Sequence, residues 1–407
     1  MERDQLPIVK LGKLLPQPYK NGIYKSADFY GDGTQILRIT DFDNEGHLVT
    51  DELQCLHLEN NEVENYKLTS RDIVINRVNS LTHIGKSILW LNNTDCTTVY
   101  ESNMMRIQPD ESAILPEYLI RILQSEPARE HFRKVAKRAV AQCSINQQDV
   151  KSLSFLLHPL PEQKKIAQIL STWDRAISTT EQLLANSRQQ KKALMQQLLT
   201  GKKRLLDNNG VRFSGEWRWL KACELFKTIS RKNNSETEEL LAVTQDQGVL
   251  PRSMLERRVV MPDGSTQGYK LVVPGNFIIS LRSFQGGLEY SSYRGLVSPA
   301  YTVLEPIRLI DDEFYKQYYK SYDFIGHLAV AVIGIRDGKQ ISYEDFSFLK
   351  LPYPSLEEQQ KIAAVLSTAD QEISALQQKL DVLKQEKKAL MQQLLTGKRR
   401  VKVGEAA

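Results

Sequence analysis

The sequence predicts an α+β protein in which two mixed α/β domains are separated by two long helices pairing as an antiparallel coiled coil. Three observations lead there. One long segment occurs twice, each copy carries the three-and-four spacing of a helical seam, and short strand-like runs precede each copy. The expected organisation is a first domain at 1–155, a central helix at 156–204, a linker and second domain at 205–355, and a distal helix with a tail at 356–407.

In chain order, the first domain opens on Leu6-Pro7-Ile8-Val9-Lys10-Leu11-Gly12. Ile36-Leu37-Arg38-Ile39 and Asp72-Ile73-Val74-Ile75 have the length and β-branched character of strands, and Pro116 to Arg138 reads as helical. The central helix starts near Pro161, whose missing N–H costs nothing in a first turn. Its seam is Ile166, Leu170, Trp173, Ile177, Leu184, Leu194 and Leu198, interrupted by Thr180, Ser187 and Lys191. Gly201 follows as a stop, with Lys and Arg beside it. Lys202 to Gly215, basic and then Asp-Asn-Asn-Gly, reads as a linker.

The second domain repeats the plan with Trp217-Arg218-Trp219-Leu220-Lys221, the run Gly275-Asn276-Phe277-Ile278-Ile279, and a helical stretch from Asp312 to Val330. Acidic Asp311-Asp312 suits the start of that helix. The distal seam is Ile362, Leu366, Ile373, Leu376, Leu380, Leu390 and Leu394, with Ala369 and Leu383 between them and Lys387 its one interruption. Gly397 ends it.

The two helices are near-copies. Lys191 to Lys202 recurs letter for letter at Lys387 to Lys398, and about 60% of positions between Leu160 and Leu205 are identical in the second copy. A helix of about 38 residues is roughly 57 Å long, more than a domain is wide, so its seam needs a partner and its twin is the nearest. With no long return loop between Lys202 and Gly215, only an antiparallel pair lets each helix join both domains. The domains, by contrast, have diverged, as if one frame held two different readers.

A length of 407 residues suits two or three domains, and 41% apolar with 25% charged residues describes a folded rather than a disordered chain. No apolar run approaches the roughly 20 residues of a membrane span, and no secretory signal is visible at the N-terminus. Cys55, Cys96, Cys143 and Cys223 form no Cys-x-x-Cys pair, which argues against zinc or a disulfide framework and suits a reducing cytoplasm. The net charge of +5 neither demands nor excludes a polyanion.

A catalytic centre is not expected. Gly85-Lys86-Ser87 resembles the tail of a phosphate loop, but Ser80 stands where the earlier glycine is needed. No dinucleotide fingerprint, nucleophile elbow, zinc-protease motif or amino-methyltransferase Asn-Pro-Pro-Tyr is present. His47, His57, His83, His131, His158 and His327 are scattered and read as surface or ordinary core residues.

Nucleic acid has a better case. The equivalent loops after the two long apolar runs carry Arg77, Asn79, Ser80, Thr82 and Lys86 in one half and Arg282, Ser283 and Gln285 in the other. Arg matches guanine and Asn or Gln matches adenine, so these loops are candidates for reading bases. Arg133, Lys134, Lys137 and Arg138, with Arg129, form a basic stretch suited to phosphates, whereas the second half offers only Arg336 and Lys339.

At these residues the chain resembles the specificity subunit of type I restriction–modification enzymes, over nearly its whole length. The duplicated Glu-Gln-x-x-Ile-Ala…Leu-Ser-Thr…Asp and Leu-Met-Gln-Gln-Leu-Leu-Thr-Gly-Lys segments, at Glu162–Lys202 and Glu358–Lys398, carry the resemblance. Leu241-Ala242-Val243-Thr244, Pro274-Gly275-Asn276-Phe277 and Gly295-Leu296-Val297-Ser298-Pro299 look like a target-recognition domain of that family. Two places depart from its pattern: Arg71-Asp72-Ile73 has Arg where Gly is usual, and His158-Pro159-Leu160 stands before the central helix.

The resemblance implies a non-catalytic subunit whose two target-recognition domains read the parts of a split, asymmetric site in double-stranded DNA. It further implies that the helices space those domains and dock two methyltransferase subunits, with restriction subunits joining through the assembly. S-adenosylmethionine, ATP and magnesium would belong to those partners, leaving no cofactor in this chain. The alternative is a coiled-coil adaptor that assembles proteins without reading DNA. A stand-alone DNA-modifying enzyme is disfavoured by the missing motifs.

Overall fold

The computed structural model describes residues 6–16, 19–50, 52–91, 96–139, 142–232, 238–245, 247–255, 266–281, 283–332 and 341–403. Contacts divide the chain into two units, Met1–Thr179 with Leu380–Ala407, and Thr180–Lys379. The division therefore passes through both long helices, Leu160–Leu198 and Leu356–Leu395.

The first unit is built on an antiparallel four-stranded sheet in the order Lys20–Asn21, Met104–Ile107, Ile73–Asn76, Ser87–Leu89. Ile73-Val74-Ile75 is an unbroken apolar run because the strand is covered on both faces. Ile73 and Ile75 join one core with Tyr118, Leu119 and Phe132, while Val74 joins another with Leu37, Trp90 and Met104. A second sheet pairs Thr34–Leu37 in parallel with Thr98–Tyr100 and antiparallel with Cys55–Leu56. Ile8–Lys10 pairs with Ser154–Leu156, the strand that leads into the central helix.

The second unit follows the same plan. Its four-stranded sheet runs Phe226–Ile229, Thr302–Pro306, Phe277–Ile279, Glu289–Tyr290, and Arg218–Lys221 pairs with Lys350–Tyr353 before the distal helix. Phe277 and Ile279 face an aromatic core with Phe226, Tyr315 and Tyr319, and Ile278 faces the other way, towards Val272 and Val303.

Each stretch expected as a single helix is two. Pro116–Gln124 stops at Ser125, whose ψ of 151° is extended, and Pro127 lies in the first turn of the next helix, Glu126–Val135. Lys137 and Arg138, read as helical in the sequence, form a short strand instead. In the second unit Asp312–Tyr319 and Tyr322–Val332 are separated at Lys320-Ser321, and Asp311 caps the first by accepting from Phe314 N–H at 2.9 Å.

The two long helices run antiparallel within each unit. In the first, Asp174 pairs with Lys387 and Glu162 with Arg400. In the second, Lys191 Nζ donates to Asp370 at 2.6 Å, Ser187 Oγ to Glu372 at 3.0 Å, and Arg204 to Glu358. The polar interruptions of the central seam are thus on the seam: Thr180 and Ser187 are buried, and Lys191 is satisfied across it.

The duplicated letters have concrete duties. Gln163 accepts from Leu115 N–H at 2.9 Å and donates to the carbonyls of Ala113 and His158; Gln359 accepts from Asp311 N–H at 2.9 Å and donates to Pro354. Leu198-Leu199 enters the core of the second unit and Leu394-Leu395 that of the first. Gly201 and Gly397, with φ of 71° and 67°, turn the chain so that the N–H groups of Lys203 and Arg399 reach back to Gln197 and Gln393 at 3.0 Å. The expected linker is itself folded: Asp207 accepts from Asn209 and Val211 N–H at 2.8 Å, and the Trp217 indole donates to Glu358 at 3.0 Å.

Glu358 is the more enclosed of the equivalent pair, with a side chain 1% exposed against 10% for Glu162. Replacing Glu358 by Gln should therefore cost about 3 kcal/mol in chemical denaturation, because the partly buried Arg204 would lose its counter-charge, and Glu162→Gln should cost less. Hydrogen bonds from Arg400 hold the Glu162 carboxyl below the usual glutamate range. Its contribution to stability is present above that range, near pH 4.3, and is lost as the pH falls through the lower folded value. A Glu162→Gln variant should accordingly lose less stability than the native chain on acidification through that window.

Among the described residues, Arg71 is the one non-glycine with a positive φ, 73°, and the equivalent Gly275 has 95°. Each is the third residue of a turn, closed where Asp72 accepts from Thr69 N–H at 2.8 Å and where Asn276 accepts from Val273 N–H at 3.0 Å. Arg71 makes half-exposed ion pairs with Glu111 at 2.8 Å and Glu117 at 2.9 Å, each worth at most about 1 kcal/mol. The left-handed backbone costs an arginine about 1–2 kcal/mol. Arg71→Ala keeps that strain and loses the pairs, so thermal unfolding should find it less stable than Arg71→Gly by about 1 kcal/mol.

Candidate nucleic-acid interface

In the first unit the strand Ile73–Asn76 delivers its loop directly. Gly85, at φ 74°, closes it against Phe132, where an added Cβ would sit 2.4 Å from the ring. Arg77 N–H donates to Asn103 at 2.8 Å, and its guanidinium lies 3.3 Å from the Ser102 carbonyl. At the exposed tip, Ser80, Thr82 and His83 form a polar triangle with Oγ···Oγ1 at 3.0 Å and both hydroxyls 2.9 Å from His83 Nδ1. Asn79 is half-buried and its Oδ1 accepts from Ser80 N–H at 2.8 Å.

The structure brings the loop and part of the basic stretch into one sheet. Val78–Asn79 pairs with Cys143–Ser144, which pairs with Lys137–Arg138. Lys137 and Arg138 are exposed there, two strands from Asn79. Arg133 and Lys134 instead make ion pairs with Glu126 and Glu130, both at 2.8 Å, and Arg129 donates to the Asn44 carbonyl at 2.6 Å.

Lys86 was expected at a solvent-facing contact and turns inward. Its Nζ donates to the carbonyls of Ile39 and Phe42, and burial pushes its pKa below the usual lysine value. In the second unit Ser283 is likewise 1% exposed and its hydroxyl accepts from Ser280 N–H at 2.8 Å, so it holds the turn together; Gln285 is exposed in the short helix Ser283–Gly286. Arg282, Arg336 and Lys339 lie outside the described residues.

Sequence reasoning overlooked Arg38. Its guanidinium grips buried Asp41 at 3.0 Å and donates to Gln54 at 2.8 Å beside the Arg77 loop. The buried carboxylate takes the Nε–Nη2 edge of the guanidinium and fixes the direction of the protons that remain on Nη1 and Nη2. The signal was present in the i, i+3 spacing of Arg38 and Asp41, which a strand reading of this run concealed.

Of the seam residues, Ile166, Leu170, Ile177, Leu184, Leu198, Ile362, Leu366, Leu380 and Leu394 are buried, and Trp173, Leu194, Ile373, Leu376 and Leu390 are partly so. His158 is buried against the Tyr118 hydroxyl at 2.7 Å, and burial lowers its pKa. Among the described residues no three His, Cys, Asp or Glu side chains gather as a metal site, and no helix is long and apolar enough to cross a membrane.

If Lys137 and Arg138 contact phosphates, replacing both by Ala should weaken binding to every duplex alike. The slope of log affinity against log salt should become shallower by about two units, one per lost contact. Titrations of specific and random duplexes at several salt concentrations measure this.

The sequence profile of the Type I restriction modification DNA specificity domain matches residues 8–186 and 249–385. The chain is 29% identical over 361 residues to the putative type I restriction enzyme MjaX specificity subunit of Methanocaldococcus jannaschii, an alignment covering 85% of this chain and 82% of that protein. It is 27% identical over 181 residues to the type I restriction enzyme EcoKI specificity subunit of Escherichia coli, covering 44% of this chain and 39% of the relative. Among solved structures, the type I restriction–modification S subunit from M. genitalium has a similar fold, with a TM-score of 0.59 at 13% identity over 97% of this chain and 98% of that one.

Proposed function

The chain belongs to the type I restriction–modification DNA specificity family, and on that premise we propose that it is the subunit that reads DNA for such a complex. Each unit recognises one part of a split, asymmetric site in double-stranded DNA. The paired helices set the spacing of the two parts and dock two methyltransferase subunits. Restriction subunits join through that assembly, and the chemistry, with S-adenosylmethionine, ATP and magnesium, takes place on the partners in the cytoplasm.

One observation supports this reading above the others. The contacts that anchor the helices recur residue for residue in both units, as Glu162–Arg400 with Glu358–Arg204 and Asp174–Lys387 with Asp370–Lys191. The loops carried on those anchored frames differ: Ser80, Thr82 and His83 in one, Gln285 on a short helix in the other. A duplicated frame suits two copies of one partner, and unlike loops suit two unlike DNA sequences.

The test is to lengthen the helix. Four residues inserted near Ala185–Gln189 add about one turn, roughly 6 Å. With DNA rising about 3.4 Å per base pair along the strand, the unread gap should grow by one or two pairs while both recognised parts keep their sequence. Methylome sequencing of cells carrying native or lengthened chains reads this directly. Unchanged spacing at full activity would remove the helices as the ruler, and no site-specific methylation depending on the native chain would remove the reading altogether.

A further inference from the structure

In the first unit one ammonium joins two loops. Lys86 closes the loop after Ile73–Asn76, where Asn76 N–H donates to its carbonyl at 2.7 Å. Its Nζ reaches across to the loop after Thr34–Leu37, donating to Ile39 at 2.5 Å and Phe42 at 2.6 Å, and lies 4.4 Å from the centre of the Phe42 ring. Glu101 secures the same loop by accepting from Ile39 N–H at 2.6 Å. That loop carries Arg38, whose side chain is 29% exposed, with Asp41 holding Nε and Nη2 of the guanidinium and Gln54 holding Nη1.

The second unit has the corresponding connection made by another residue. Lys320, just after the helix Asp312–Tyr319, donates to Gln245 at 3.2 Å, to Gly286 at 3.0 Å and to the Glu289 carboxylate. Gln245 follows the strand Leu241–Thr244, and Gly286 ends the short helix after Phe277–Ile279. These are the counterparts of the two loops joined by Lys86. An ammonium has three protons, and Lys320 has three acceptors within the protein.

We propose that Lys86 and Lys320 are positioning residues for sequence reading: each fixes the separation of the two loops that meet the bases of its half-site, and neither touches DNA. The inference rests on the DNA-reading function proposed above. It comes from recurrence under divergence. The two domains differ in loop length and composition, and the lysines arise from different elements, yet the same pair of loops is tied in both. Charge-assisted bonds to carbonyls are stronger than neutral ones, and removing the lysine leaves those carbonyls to find other partners, so the loops would shift relative to each other.

The experiment uses the full chain with its methyltransferase subunits. Duplexes are selected from a randomised DNA library, and binding is then measured for the selected duplex and for single-base changes in each half, over a range of salt. Lys86→Met should reduce discrimination about tenfold in one half and leave the other unchanged, and Lys320→Met should do the reverse. Arg variants, whose guanidinium can still donate to two carbonyls, should restore most of the loss. The salt dependence should stay as in the native complex, because no phosphate contact disappears.

A uniform loss on all duplexes with a shallower salt slope would make these lysines phosphate contacts and overturn the proposal. Unchanged discrimination would overturn it as well. So would a lowered melting temperature with loss that Arg does not rescue, which would mark a merely structural role. If the native complex prefers no duplex over another, the DNA-reading function itself fails and the proposal falls with it.

Discussion

A helix of some forty residues with one apolar seam cannot keep that seam dry by itself, and most of this structure follows from that constraint. The seam here is not uniformly apolar, so pairing alone would leave Ser187 and Lys191 stranded; each finds an acidic partner on the antiparallel helix. Where pairing ends, the helices continue into domain cores through Leu198-Leu199 and Leu394-Leu395. Buried Gln163 and Gln359 then fix the loops ahead of the domain helices. Burial supplies most of the energy, and the polar contacts select the register in which that burial occurs.

The helices and their direction were legible because period and repeat are local properties of sequence. So were the central strands, since Ile73-Val74-Ile75 and Phe277-Ile278-Ile279 are apolar at every position. The site was less legible. Lys86 and Ser283 have the composition of contact residues, but their direction is set by carbonyls and amides distant in sequence or across a turn. Lys320 gave no signal at all, because its acceptors come from two segments distant from it in sequence. Arg138 and Asn79 are far apart in the chain and become near neighbours only through Cys143–Ser144.

The two units also show that a backbone conformation can outlast the residue best suited to it. The turn before the central strand is left-handed in both, held by Asp72 in one and Asn276 in the other. Glycine occupies the left-handed position in the second unit. The first uses arginine there and gains ion pairs with Glu111 and Glu117 in partial compensation. What the fold retains is the path of the chain into the strand, and side-chain chemistry is free to vary around it.

The division of the chain through its helices permits an inverted order of folding during synthesis. Domains generally form in the order in which they leave the ribosome. Here the core that includes Leu14, Ile73 and Tyr118 also includes Leu394 and Leu395. The unit that holds Met1–Thr179 is therefore incomplete until the segment from Leu380 onward has emerged, whereas every residue of the second unit lies between Thr180 and Lys379. The later domain can finish first, and the earlier one must wait for Leu394 and Leu395 with part of its apolar surface uncovered. A nascent chain of this design has a long interval of exposure, in which chaperones or its partner proteins have time to act.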